Sequence, residues 1–220
     1  MGVELKNIKN DGIIKFQAID ISEKKIEEMI CQALDEIMKK ESFIVKYLTN
    51  LKDAHNYTAM HCIQVSVLSG IIGIKTGLAG KNLTEVMKAG LVHDYGKAYI
   101  PVRLLDKTDK LTANEFEIIK LHPEIGYDKL KEKHCFSKEM LTVVLQHHEK
   151  LDGSGYPFGL KNGISPYSQI VSIADVYDAL TSDRAYRNKY SNKKALDTIL
   201  LENEKYNTDL VHILADYLNL

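Results

Sequence analysis

The stretch "AGLVHDYGK", residues 89–97, ends an apolar helical run with two polar side chains, His93 and Asp94. Its hydrophobic spacing predicts a helix from about Thr84 to Asp94 that stops at Gly96, a residue favoured at left-handed helix ends. His93 and Asp94 then lie at the buried end of that helix. Because a buried imidazole or carboxylate without a partner costs several kcal/mol, both side chains must be paired.

Three further predicted helices break their apolar pattern in the same way. In the helix expected over residues 54–75, His61 lies on the apolar face. In the helix that contains "MLTVVLQHH", His147 and His148 fall at or beside core positions. Asp175 lies inside the apolar segment "IVSIADVYDAL". Taken singly, each of these residues is better explained as a hydrogen-bonded core residue than as part of a site.

Taken together, these side chains indicate a metal centre. Imidazole and carboxylate ligands suit divalent transition metals, and a cation removes the burial cost of all of them at once. A carboxylate can also bridge two metals, a pair that activates water and stabilises both oxygens of a phosphoester under attack. Cys62 follows His61, but the three cysteines are scattered without a CxxC pair, which argues against a structural zinc site held by thiolates. The set predicts a hydrolytic metal centre.

Composition limits the class of protein. The 220 residues carry 29 Lys and Arg against 30 Asp and Glu, so the basic field that binding to a nucleic acid polymer needs is missing. The longest apolar stretch, around "VLSGIIGI", is shorter than the ~20 residues of a membrane span. The N-terminus lacks a signal pattern, which predicts a cytoplasmic protein without membrane contact. Three scattered cysteines argue against a disulfide framework.

Hydrophobic periodicity predicts an all-α protein. An amphipathic helix is expected over residues 22–40, with Ser22 as its cap. Thr112 and Glu115 have capping-box spacing at the start of the helix "LTANEFEIIKLH". Further helices are expected after Ser137, from Pro166, near 192–202 and near 208–218. Residues 1–21 are ambiguous between a short strand and a tail.

Five segments, in order along the chain, resemble the motifs of the HD-GYP family, a branch of the HD-domain metal-dependent phosphohydrolases. They are "YTAMH" ending at His61, "HDYGK" at 93–97, "KLHPEIG" around His122, "HHEKLDGSGYP" at 147–157 and "ADVYDALTSDRAYR" around Asp175. The resemblance covers about residues 50–215. It implies an HD-domain helical bundle of about seven to nine helices with a GYP loop. Residues 50–220 would form this domain, and residues 1–49 an N-terminal extension.

The resemblance also implies a set of functional residues. Seven positions match its metal ligands: His61, His93, Asp94, His122, His147, His148 and Asp175. Asp94 would bridge two metals, one completed by His61, His93 and Asp175 and the other by His122, His147 and His148. Lys97 would lie near the scissile phosphate as a charge stabiliser or proton donor, and Arg184 and Arg187 would hold substrate phosphates. Asp178 is expected to support a ligand from behind or to cap a helix, and Glu149 to support the ligands from behind.

Two divalent ions are expected, with iron or manganese favoured by the resemblance and zinc, nickel or cobalt also compatible with the ligands. Some family members bind a third metal through a Glu where this chain has Tyr57. The linear dinucleotide pGpG is therefore the expected main product, with GMP as a further one. Gln64 and Tyr95 also depart from the usual residues, and either change would alter the pocket rather than remove a ligand.

The implied function is hydrolysis of cyclic di-GMP, a bacterial second messenger. Two alternatives stay open: a catalytically weak receptor or scaffold that binds cyclic di-GMP or a GGDEF-domain partner, and an HD hydrolase of another nucleotide. A sensor protein is a further candidate partner, and the amphipathic helix over 22–40 would suit a homodimer interface.

The loop "DGSGYP" is expected to pack beside the metal centre. Gly153 and Gly155 allow backbone conformations that are closed to other residues. Asp152 is expected to fix the shape of the loop, and Tyr156 and Pro157 to stiffen it.

Overall fold

The computed structural model describes residues 9–10, 13–40, 42–54, 56–182 and 189–220, with side chains at 15–40, 42–51, 58–182 and 189–220. Within these ranges lie eleven α-helices, one 3₁₀ helix at Tyr95–Tyr99 and two antiparallel strands of two residues each. The strands are β1 Lys9–Asn10 and β2 Ile13–Ile14. The helices are α1 Glu23–Lys40, α2 Ser42–Ala54, α3 Asn56–Lys75, α4 Gly80–Val92, α5 Val102–Leu105, α6 Ala113–Ile119, α7 His122–Lys131, α8 Lys138–Gln146, α9 Pro166–Thr181, α10 Asn192–Leu201 and α11 Thr208–Tyr217.

The all-α prediction is confirmed, although the described residues hold more helices than the seven to nine expected. Three helices that the sequence pattern did not predict separately account for the difference. The sequence pattern gave no sign of α2, and α5 has only four residues. The segment expected as one helix after Thr112 divides into α6 and α7, so that His122 begins a new helix. The capping box of Thr112 and Glu115 is present at the start of α6.

Among the described residues, one hydrophobic core joins most of the helices, and α3 lies at its centre. This helix packs mainly against α4 and α9, with α2 and α11 at further faces. By length and composition α3 is apolar enough to cross a membrane, since Thr58–Lys75 has a mean hydropathy of 1.3. The expectation that no stretch would be long enough was therefore wrong. Because 61% of that window is buried inside the molecule, α3 has the character of a core helix.

The predicted amphipathic helix over 22–40 is confirmed as α1, and the hydroxyl of Ser22 accepts a hydrogen bond from the backbone of Lys25 at 3.4 Å. Its apolar face, which includes Ile26, Ile30 and Ile37, is buried in the core. The helix contacts α2, α3 and α4. The apolar face of α1 is thus covered by its own chain, and the division of the chain at residue 50 stays a prediction.

The region around "HDYGK" differs from the expectation for a left-handed helix end. Helix α4 ends at Val92, and the 3₁₀ helix Tyr95–Tyr99 follows. Gly96 lies within this 3₁₀ helix, and its φ is outside the left-handed region. A Cβ at Gly96 would overlap the backbone carbonyl oxygen of His122. Glycine is needed here because the 3₁₀ helix packs directly against the start of α7, a tertiary contact that local spacing does not reveal.

Candidate metal centre

The structure brings all seven predicted ligands together at one place in the bundle. They are supplied by the ends and inner faces of five helices. His61 comes from α3, His93 and Asp94 follow α4, His122 begins α7, His147 and His148 follow α8, and Asp175 lies in α9. The side chains of His93, His122 and His147 are fully buried, and those of His148 and Asp175 are 20% and 15% exposed. Their role as ligands stays a prediction, but the geometry permits it.

Asp94 lies between two sets of histidines. One carboxylate oxygen, Oδ1, is 3.2 Å from His122 Nε2 and 3.7 Å from His147 Nε2. The other, Oδ2, is 3.4 Å from His93 Nε2 and 3.7 Å from His61 Nε2. Two groups of side chains that can hold an ion therefore share Asp94: it joins His61 and His93 on one side, and His122, His147 and His148 on the other.

Asp175 lies closer to His61 than to any histidine of the other set. Its Oδ1 lies 3.3 Å from His61 Nε2 and 3.9 Å from His93 Nε2, whereas its Oδ2 is 3.9 Å from His148 Nδ1. We call His61, His93 and Asp175 the carboxylate half of the centre. We call His122, His147 and His148 the imidazole half.

Hydrogen bonds at the far side of the ring fix the orientation of four of the five histidines. Three histidines donate Nδ1–H to the carbonyl oxygen three residues earlier, at 2.7–2.8 Å: His93 to Gly90, His122 to Ile119 and His147 to Val144. A carbonyl oxygen can only accept, so Nδ1 carries the proton and Nε2 presents a lone pair to the centre. His61 Nδ1 instead faces Asp178 Oδ2 at 2.6 Å, so Asp178 lies behind His61, and its role in supporting a metal ligand stays a prediction.

The donor atoms fit a divalent cation. His93 Nε2 and Asp94 Oδ1 are buried without a hydrogen-bond partner, a costly state for polar atoms in a protein interior. The Nε2 atoms of His122 and His147 lie 3.2 Å apart, with lone pairs directed at each other and at Asp94. Lone pairs that converge in this way repel one another unless a cation lies among them. The cluster is therefore suited to divalent metal binding.

The electrostatic surroundings keep Asp94, His147 and His148 in metal-binding protonation states. Burial lowers the pKa of His147 to about 4, and it lowers the pKa of His148 well below its usual range. Burial raises the pKa of Asp94, but Lys97 and His93 outweigh it and hold that pKa well below the usual range. His61 is different: burial lowers its pKa, but hydrogen bonds to Asp175 and Asp178 raise it to about 9.

Lys97 lies beside Asp94, and its expected place near the scissile phosphate stays a prediction. It is part of the 3₁₀ helix Tyr95–Tyr99, and its Nζ is 2.6 Å from Asp94 Oδ2. The side chain is 31% exposed, and its ammonium group is paired with the buried carboxylate. Burial lowers its pKa, and the nearby carboxylate of Asp94 raises it more, so Lys97 stays a cation.

Several other predicted positions are only partly covered by the structure. Arg184 and Arg187 lie outside the described residues, and so does the side chain of Tyr57. Gln64 is exposed on α3. Tyr95 packs in an aromatic cluster, with its ring 5.6 Å from Phe43 and 5.0 Å from Tyr47.

The loop after α8 packs against the imidazole half, as expected. The ring of Tyr156 lies 4.7 Å from that of His148 at an interplanar angle of 32°. Asp152 Oδ1 accepts hydrogen bonds from the backbone and hydroxyl of Ser154, at 2.9 and 2.7 Å. The carboxylate of Glu149, 3% exposed, accepts hydrogen bonds from the backbone amides of Phe158 at 2.7 Å and Leu160 at 2.8 Å. Glu149 therefore fixes the loop, a role that its place next to two ligands did not reveal.

The two loop glycines are needed for different reasons. Gly153 has a φ of +81°, the left-handed conformation that the sequence predicts. Gly155 lies outside that region. A Cβ at Gly155 would overlap backbone atoms of His148, Glu149 and Lys150. The prediction was thus right for Gly153 and wrong for Gly155, where close approach of the chain excludes a side chain.

Comparisons with known proteins agree with this geometry. The model of the HD domain family matches residues 26–210. A cyclic di-GMP phosphodiesterase of Pseudomonas aeruginosa, PA4108, is 38% identical over 150 residues, which are 68% of this chain and 36% of that protein. The 3'3'-cGAMP-specific phosphodiesterase 2 of Vibrio cholerae is 31% identical, over 79% of this chain and 34% of that protein. This chain thus spans about a third of the length of either relative.

A solved structure shares the fold. The HDG"Y"P protein Bd1817 of Bdellovibrio bacteriovorus has a TM-score of 0.63 and 22% identity, covering 89% of this chain and 71% of that one. At this identity the likeness concerns the fold alone. The motifs, the family match and the helical architecture agree: the chain belongs to the HD domain family, and its resemblance to the HD-GYP branch is confirmed.

Proposed function

We propose that this chain is a metal-dependent phosphodiesterase that hydrolyses cyclic di-GMP to pGpG, with two divalent ions bridged by Asp94. The position of Asp94 carries the proposal, because each of its carboxylate oxygens faces a separate set of histidine Nε2 atoms. A shared carboxylate between two donor sets is the arrangement that a binuclear hydrolytic centre requires.

The carboxylate half would hold one ion and the imidazole half the other, with Asp94 common to both. Histidine and carboxylate donors accept several metals, and family resemblance favours iron or manganese over zinc, nickel or cobalt. When bound, the ions supply an activated water and neutralise charge on the phosphate. The side-chain of Tyr57 in place of a third-metal Glu supports two ions rather than three, and pGpG rather than GMP as the main product.

The protein's own residues position and stabilise the reacting groups. The water oxygen forms a bond to phosphorus and gives up one proton, the bond from phosphorus to the 3'-oxygen breaks, and the 3'-oxygen takes one proton. Lys97 is a cation whose Nζ lies 2.6 Å from Asp94 Oδ2 and whose side chain is 31% exposed, so it is placed to stabilise the phosphate or to donate that proton. Arg184 and Arg187 would hold the phosphate oxygens with charge-assisted hydrogen bonds.

The hydrogen bonds behind the ligands hold the histidine rings before any ion binds. Asp178 orients His61, and backbone carbonyls orient His93, His122 and His147. Such preorganisation lowers the cost of assembling the centre and tunes its donors. The same function fits a cytoplasmic protein that works with a GGDEF-domain or sensor partner, alone or as a homodimer.

A second candidate function is hydrolysis of 3'3'-cGAMP, and it is favoured by the relative of that specificity in Vibrio cholerae. The two substrates differ in one base, so a metal centre that binds the phosphate does not by itself discriminate between them. A receptor or scaffold without turnover is less well supported, because every predicted ligand is present and the donors converge.

Product analysis tests the proposal. The protein is purified anaerobically with Fe(II) or Mn(II), given cyclic di-GMP or 3'3'-cGAMP in parallel, and its products are separated by chromatography. We expect pGpG from cyclic di-GMP at a higher rate than any product from 3'3'-cGAMP. Faster turnover of 3'3'-cGAMP would favour the second candidate. Tight cyclic di-GMP binding without product, in protein with bound metal, would favour the receptor.

A further inference from the structure

A row of aromatic rings extends from the imidazole half toward solvent. The ring of Tyr156 lies against that of His148 at 4.7 Å, and the ring of Phe116 lies 6.3 Å from Tyr156 in a T-shaped arrangement. Phe116 belongs to α6, and 46% of it is exposed. The outer ring of the row is therefore open to a ligand, and the inner end touches the candidate metal ligands.

A lysine lies beside the two outer rings. Lys120 Nζ is 5.5 Å from the centroid of Phe116 and 5.9 Å from that of Tyr156, within cation–π range of both. The same ammonium group pairs with Glu117 at 2.6 Å. Glu117 is 66% exposed, so this ion pair is worth little in water. Lys120 thus places an ammonium donor next to an exposed ring face.

Helix α6 is anchored just before Phe116. The carboxylate of Glu115 accepts hydrogen bonds from Lys107 Nζ at 2.6 Å, from the backbone amide of Thr112 at 2.7 Å and from its hydroxyl at 3.0 Å. The first turn of the helix is therefore fixed to the segment that follows α5. An exposed ring on an anchored turn can bind a flat ligand with little loss of conformational entropy.

We propose that Phe116, together with Tyr156 and Lys120, forms a subsite that stacks a purine base of the substrate. The inference rests on the proposed function, which places the phosphate at the metal centre. A base is joined to its phosphate through one ribose, so it must lie beside the ligand cluster, where this row of rings begins. Aromatic side chains stack bases of any identity, and a lysine ammonium can donate to O6 and N7 of guanine.

Calorimetric titration with two small probes tests the subsite. The probes, 5'-GMP and ribose 5-phosphate, share a sugar and a phosphate and differ in the base. In the Mn(II)-loaded chain, Phe116→Ala should weaken 5'-GMP binding by about tenfold, the size expected for loss of one base–aromatic stack. Its affinity for ribose 5-phosphate should stay unchanged, and Phe116→Tyr should keep the wild-type affinity for both probes.

A matched control is available on the same helix. Ile118 in α6 is 40% exposed, and Ile118→Ala should leave both affinities at the wild-type value. The proposal is overturned if Phe116→Ala weakens both probes equally, if it weakens neither, or if Ile118→Ala has the same effect. It is also overturned if the wild-type chain binds 5'-GMP no better than ribose 5-phosphate.

The titration does not depend on turnover. If the wild-type chain fails to hydrolyse cyclic di-GMP, the proposed function fails, but the affinity ratio of the two probes still decides whether Phe116 binds a base. If hydrolysis occurs and the ratio is unaffected by Phe116→Ala, the proposed function stands and the subsite is wrong.

Discussion

The two halves of the metal centre are built in different ways. In the carboxylate half, His61 lies between two aspartates, with Asp175 at 3.3 Å on one ring nitrogen and Asp178 at 2.6 Å on the other. In the imidazole half, the fully buried His122 and His147 are oriented by backbone carbonyls, and Asp94 is the carboxylate they share with the other half. The orientation of His61 thus depends on side chains that a mutation can remove, whereas that of His122 and His147 depends on the backbone of two helix ends.

This difference has an electrostatic consequence. Two aspartates raise the pKa of His61 to about 9 despite its burial, whereas burial lowers the pKa of His147 to about 4. An ion in the carboxylate half would be surrounded by more negative charge than one in the imidazole half. We therefore expect the two ions to differ in affinity, with the carboxylate half binding more tightly.

The largest effect is expected from Asp94→Ala, which removes the group that both halves share. It should abolish both metal loading and turnover, because each donor set loses a ligand and the bridge disappears. Metal content per chain, measured by mass spectrometry beside the rate of pGpG formation, checks this result. A variant that keeps both ions would show that Asp94 is not the bridge.

Asp178→Asn should weaken the carboxylate half alone. The amide keeps the shape of the side chain but loses the charge that holds His61, and loss of such an outer partner costs about 10- to 100-fold in metal affinity. Competition with a chelator should release one ion earlier than in the wild type, and the release of the other ion should be unchanged. Ser182→Ala is a matched control, since Ser182 donates to the other oxygen of Asp178 at 3.2 Å. Equal weakening of both ions would contradict the division into halves.

Glu149→Gln should loosen the loop that packs on the imidazole half. An amide can accept a hydrogen bond from only one of the two backbone amides, so one bond to a buried charge is lost. The free energy of unfolding should fall by about 1.5–3 kcal/mol, measured by denaturant titration. Asp152→Asn, in the exposed part of the same loop, should have a much smaller effect. Similar losses of unfolding free energy in both variants would show that the burial of Glu149 does not determine the size of the effect.

Gly96→Ala should disturb the imidazole half through the backbone. The added methyl group would overlap the carbonyl of His122, so the 3₁₀ helix and α7 must move apart. Overpacking of this kind costs about 1–3 kcal/mol of unfolding free energy. The ion of the imidazole half, next to His122, should be lost before the ion of the carboxylate half. Ala98→Ser, at an exposed position of the same 3₁₀ helix, is the control. Unchanged stability in Gly96→Ala would contradict the close packing.

The parts of the fold that depend on local spacing could be predicted from the sequence. Helix α1 occupies 23–40 against the predicted 22–40, and the capping box at Thr112 and the first position of Pro166 are as expected. In each case neighbours in the chain determine the structure. The convergence of the seven ligands was predictable for another reason: polar residues on apolar helix faces, together with the family motifs, indicated a shared partner.

The features that sequence did not reveal depend on contacts between distant segments. The Glu149 carboxylate accepts hydrogen bonds from amides nine and eleven residues further along the chain. The two histidines before it indicate metal binding and give no sign of this contact. Gly96 and Gly155 are required by the approach of other backbone segments, which glycine spacing alone does not distinguish from a positive φ. The capping box beside Phe116 indicates a helix start and no ligand site, and only the distance of Phe116 to Tyr156 connects it to the site.

The central claim, a binuclear centre bridged by Asp94, is tested most directly by anomalous diffraction from crystals of the Mn(II)-loaded chain. We expect two anomalous peaks per chain, one on each side of the Asp94 carboxylate, next to His61 and His93 in one case and to His122 and His147 in the other. A single peak, or peaks away from Asp94, would contradict this account.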